Sequence, residues 1–210
     1  VGSSPGGAAI RVASAASPAM RLVVPASRRS IERTVARAAT APPTVATQPG
    51  AVLDPRYVHD RLEGVVGHGE RDFTTAASGL RTWATHRVRG VRVFPTGAPV
   101  ASGATRVVTF GTPLVAIAAP CRVTEVVDEP RRAGFTYVTL RGHPEEGEES
   151  FVVELDANDD VRCTITARSR PGSRLVRATA PVNRYVQHRV ARGYLRALER
   201  HVAAQPVGRP

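Results

Sequence analysis

The sequence predicts an α+β domain in which a curved antiparallel sheet of about seven strands wraps around one long C-terminal helix, with a shorter helix at 70–86. Three observations carry this expectation. Apolar residues recur at helical spacing in Glu70–His86 and again in Asn183–Ala203. Between these segments the period drops to two in a series of short β-rich runs. The links between those runs are too short for the crossover of about a dozen residues that parallel neighbours need, so the strands are antiparallel.

Residues 1–19 hold no acid and no aromatic and are rich in Gly, Ser, Pro and Ala, so ordering them has little burial to offset its entropy. A disordered extension over 1–24 is expected, with Met20 as a candidate true start. A single domain follows over 25–204, and 205–210 form a disordered tail. Ser27–Ala39 reads as a short helix capped by Ser27 or Ser30 and closed by Ala41-Pro42-Pro43. Tyr57–Val66 is a strand running into the turn Gly67-His68-Gly69. The helix from Glu70 to His86 carries Phe73, Ala76, Ala77, Leu80, Trp83 and Ala84 on its apolar side. Strands are then expected at 91–95, 106–110, 113–119, 121–127, 135–140, 150–156 and 161–168. The last two form a hairpin through Ala157-Asn158-Asp159-Asp160. The C-terminal helix aligns Val186, Val190, Ala191, Tyr194, Leu195, Leu198 and Val202, and its Gly193 needs a close neighbour to offset a cost of about 1 kcal/mol.

A chain of 210 residues that is 42% hydrophobic suits one such domain. Without its first fifth, about 160 residues still bury roughly two thirds of the unfolded surface with no disulfide staples. Cys121 and Cys163 are too few for a secreted scaffold and lie in apolar runs, so a reducing cytoplasm is expected. The longest apolar run, Pro113–Pro120, is one strand long and spans no membrane. All 29 basic residues are Arg, a usage that points to GC-rich coding DNA rather than to guanidinium chemistry. Charge is uneven: residues 161–210 carry 11 Arg against one Glu. Scarce aromatics and the lack of any finger, helix-turn-helix or RNA-binding strand motif argue against specific nucleic-acid recognition.

The densest chemistry lies in the loop His143-Pro144-Glu145-Glu146-Gly147-Glu148-Glu149. Crowded carboxylates raise one another's pKa, and His143 could exchange protons with Glu148 or Glu149. These two glutamates enter the next strand, where alternation turns their side chains to opposite faces and one of them inward. Tyr137 and Thr139 share a strand face, Trp83 and His86 lie three apart on a helix, and Arg168-Ser169-Arg170 ends the last strand opposite the acidic loop. Cys121, His143 and Cys163 lack a fourth zinc ligand, and no metal or cofactor is expected.

The series Gly67-x-Gly69-x3-Phe73, Trp83-x2-His86, Pro120-Cys121-Arg122-Val123, Phe135 through TLRGHPEEGEESF to Phe151, Ser169-Arg170-Pro171 and Tyr194-Leu195 resembles uncharacterised protein family 0548, found in bacteria and plants. The likeness runs from about Pro25 to His201. It implies a START-like helix-grip fold whose sheet and long helix enclose an apolar cavity, and it supplies no catalytic residue.

The leading functional expectation is a domain that binds a small, largely apolar or lipid-like molecule between sheet and C-terminal helix, with Trp83, Tyr137, Thr139, Arg168 and Tyr194 as contacts. An enzyme of lyase, cyclase or isomerase type, using His143 with Glu148 or Glu149 as acid and base, is the alternative. A basic module docking on an acidic protein partner is the third.

Overall fold

A computed structural model describes residues 23–45, 56–172 and 180–205, with side chains throughout except at 180–188. In chain order it places β1 (Val23–Pro25), α1 (Arg28–Ala39), β2 (Val58–His68), α2 (Gly69–Arg81), a 3-10 turn (Ala84–His86), β3 (Val91–Phe94), β4 (Thr105–Gly111), β5 (Val115–Glu129), β6 (Arg132–Thr139), β7 (Glu145–Leu155), β8 (Asp160–Pro171) and α3 (Ala180–Ala203). The strands form one antiparallel sheet in the order β2-β8-β7-β6-β5-β4-β3, with β1 added beside β5. This is the α+β helix-grip arrangement the sequence predicts. Val23 and Val24, assigned by sequence to the N-terminal extension, belong to β1. The expected disorder of the outermost residues, and the proposed start at Met20, lie outside the described residues.

Alternation divides the sheet into two faces. On the inner face, Leu62, Ile165, Phe151 and Phe135 lie in register across β2, β8, β7 and β6. Ile165, Phe151 and Phe135 pack with Phe73, Leu80 and Trp83 near α2 and with Tyr194, Leu198 and Val202 of α3. On the outer face, Ile31 and Ala38 of α1 meet Val107, Ala118 and Leu140. Ser27 caps α1 by accepting the Ser30 amide, as expected.

Three elements differ from the sequence expectation. The runs 113–119 and 121–127 are one strand, β5, continuous through Pro120. Residues 115–117 pair with β1 and residues from Cys121 onward with β6. Pro120 sits at that handover, where its carbonyl accepts the Leu140 amide and its missing N–H interrupts no ladder. The helix from Glu70 stops at Arg81, because Trp83 adopts a left-handed conformation with φ 58° and the chain continues as a 3-10 turn. Thr82 Oγ1 donates back to the Ser78 carbonyl at 3.1 Å and closes the last turn. The acidic segment is a strand as well: β7 begins at Glu145, not near Ser150.

Gly193 has the close neighbour its cost requires, since a Cβ there would lie 3.2 Å from Val88 Cγ1. Among the described residues no helix is long and apolar enough to cross a membrane.

Candidate functional site

A cavity of about 220 Å³ opens between the inner face and α3. Its apolar wall comes from Val108 and Phe110 of β4, Ile117 and Ala119 of β5, and Val190 and Ala191 of α3. The polar wall comes from the other end of the sheet, where one cross-strand row holds Tyr137, Glu149, Ala167 and Asp60 on β6, β7, β8 and β2. Each faces inward because it lies two residues from an apolar core position, as Tyr137 does from Phe135 and Glu149 from Phe151.

Tyr137 and Glu149 are direct partners in the ladder, and the phenol donates to Glu149 Oε2. Burial pushes the Glu149 carboxyl up to about 7, against the opposing pull of the Tyr137 hydrogen bond, and the nearby Glu145 charge adds to the rise. Burial and the charge of Glu149 raise the Tyr137 phenol well above its ordinary range. Tyr194 shifts the same way for the same leading reason. His143 is pushed down to about 4 by burial, so it is neutral at pH 7. Its Nδ1 lies 2.9 Å from the Glu145 backbone nitrogen.

Of the residues singled out by sequence, Tyr137, Thr139, His143, Glu148, Glu149 and Tyr194 line this cavity. The hydroxyl of Thr139 is held structurally, accepting the Gly147 amide at 2.9 Å and bonding to the Thr44 hydroxyl. Glu148 alternates away from Glu149 and meets Arg168 Nε at 3.5 Å. Arg168 and Arg170 lie over the Tyr57 ring, and Arg170 also pairs with Glu146 at 2.8 Å, so the basic end of β8 neutralises the outward carboxylates. Neither Arg168 nor Trp83 is among the lining residues. The Trp83 ring is in the solid core, 4.9 Å from Phe135 and 5.0 Å from His86 between ring centroids. Among the described residues His143 bonds to the Glu145 backbone and not to Glu148 or Glu149, whereas Tyr137 and Glu149 form an acid–base contact in the cavity.

Sequence reasoning missed Asp60 and misplaced His86. Asp60 lies in the polar row because β2 pairs with β8, a registration with no local signal. His86, which suits an exposed helix end by sequence, is 2% exposed and stacks on Tyr194 at 4.3 Å. Burial pushes it down to about 3, and Thr85 Oγ1 lies 2.9 Å from its Nδ1. The helix break at Trp83 puts it there. Among the described residues no group of three or more His, Cys, Asp or Glu is placed to hold a metal ion. Cys121 and Cys163 are buried free thiols, both raised in pKa by burial, Cys163 to about 12.

Residues 40–197 match the family model described as "Domain of unknown function (DUF1990)". A UPF0548 protein of Arabidopsis thaliana is 30% identical over 147 residues, which cover 67% of this chain and 71% of that protein. A UPF0548 protein of Deinococcus radiodurans is 44% identical over 79 residues, and that match spans 38% of this chain and 40% of its relative. Among solved structures, a hypothetical protein from Helicobacter pylori superposes with a TM-score of 0.52 at 13% identity, covering 75% of this chain and 99% of its own, a likeness of fold alone.

Proposed function

The chain belongs to the DUF1990 domain family, and we propose that its cavity between sheet and α3 binds a small, largely apolar molecule. One observation carries this: the inner face is packed solid at Phe135, Phe151 and Ile165, all 3% exposed or less, yet opens into about 220 Å³ one strand-row further along. A chain gains nothing in stability from leaving such a space beside well-packed layers. The volume is below the roughly 300–1,000 Å³ of drug-sized pockets, which favours a ligand of one ring or a short chain. The START-like kinship expected from sequence fits the same use.

Native mass spectrometry of the chain purified from its own host tests this proposal. Retained organic mass is expected on the unaltered chain and none on Ala167→Leu, whose added methylenes enter the cavity. A bare mass for the unaltered chain, across several extracts, would sink the proposal.

Catalysis is a second reading, favoured by the Tyr137–Glu149 pair. A carboxyl with a pKa of about 7 on a cavity wall can both take and return a proton near neutral pH. In that case Glu149, and not His143, exchanges the proton.

A further inference from the structure

We propose that the molecule bound in this cavity is an amine in its protonated form, its nitrogen held on the Glu149 carboxylate and its hydrocarbon body against Phe110, Ile117 and Val190. This rests on the binding function proposed above and adds the chemical class of the ligand. The first support is charge. The chain has 29 basic residues against 18 acidic ones, yet the residues lining the cavity include Asp60, Glu145 and Glu149, besides the outward-turned Glu148, and among the described residues no arginine. His143, the one imidazole among the described lining residues, is kept neutral by burial. Among the described lining residues, an anionic ligand would meet carboxylates and no arginine to pair with.

The second support is the direction of the hydrogen bonds. Glu148 is answered by Arg168, and Asp60 and Glu145 have interactions of their own. Glu149 lines the cavity, and among the described residues it receives one hydrogen bond, from Tyr137 to Oε2. Tyr137 spends its proton on that bond, so the phenol and the ionised carboxylate both present lone pairs to a ligand. Only a donor satisfies them. In a partly buried setting a cationic donor gives the stronger bond and also offsets the cost of ionising Glu149.

Three probes of nearly equal size, 2-phenylethylamine, 2-phenylethanol and phenylacetate, titrated into the full chain and followed by two-dimensional NMR, test the class. The amine is expected to bind about tenfold or more tightly than the alcohol or the carboxylate, shifting resonances of Ala119, Ala167 and Val190. In Glu149→Gln the advantage of the amine over the alcohol is lost. Equal or tighter binding of alcohol or carboxylate at those residues overturns the amine class and leaves the cavity function standing. No shift with any of the three overturns both. The ranking on the unaltered chain decides the class even if the variant fails to fold.

Discussion

Tyr137 and Glu149 face one another across β6 and β7, and the phenol of the first donates to the carboxylate of the second at the wall of a cavity. The neighbouring inward row of the same ladder pairs Phe135 with Phe151, stacked 5.1 Å apart. An ionisable pair in a row otherwise suited to packing makes this part of the sheet sensitive to pH.

Glu149→Gln should flatten one part of the stability profile. The folded carboxyl titrates at about 7 against an ordinary value of 4.5. The folded state therefore holds the proton more tightly, and stability falls as pH rises between these values and levels off above 7. Glutamine keeps an acceptor for Tyr137 and never ionises, so melting at pH 8 should rise by about 3 °C or more, on the order of 1 kcal/mol for a chain of this size. Scanning fluorimetry from pH 5 to 8 reads this directly. Parallel profiles for the two proteins would contradict the assignment.

His86 acts at the other end of the scale. Its folded pKa of about 3 is below the ordinary 6.5, so the unfolded chain takes up the proton first and stability drops as pH falls below about 6.5. His86→Phe keeps the stack on Tyr194 and removes that proton. Relative to the unaltered chain the variant should gain stability steadily from pH 7 to pH 4.5, measured by urea denaturation at each pH. A constant difference across the range would count against a neutral buried imidazole.

Thiol chemistry gives a third check. Cys121 and Cys163 are buried and their thiols are held protonated. Ellman's reagent at pH 8 should find almost no thiol in the folded chain and two in guanidinium. Rapid reaction of Cys163, which does not line the cavity, would show that the inner face is open to solvent beyond it.

Gly147 explains the glycine within the acidic run. A Cβ there would lie 2.0 Å from the Arg168 carbonyl oxygen, a backbone atom that cannot rotate away. Gly147→Ala should push β7 from β8 and cost about 2 kcal/mol or more, read from thermal melting by circular dichroism. A melting point unchanged from the native chain would mean that the two strands are not so close.

Much of this was legible along the chain. The two amphipathic helices, the alternation of Phe135, Tyr137 and Thr139, and the inward turn of one of Glu148 and Glu149 all follow from local periodicity. The acidic run was legible only as chemistry. Five residues with four carboxylates read as a loop, because nothing within the run announces the register that pairs Glu148 with Arg168 and Glu146 with Arg170. Trp83 and His86 read as one helix face for a similar reason, since the left-handed step at Trp83 has no signal in the local sequence.

By itself, then, the sequence determined the type of each main element and which side of it is apolar, since these depend on residues three, four or two apart. The tertiary structure alone decided that Asp60 reaches the polar row, that His86 is interior, and that Glu149 meets Tyr137 beside a cavity. Those contacts depend on strand register and on helix α3 crossing the sheet, and they join residues far apart in the chain, which no local pattern encodes.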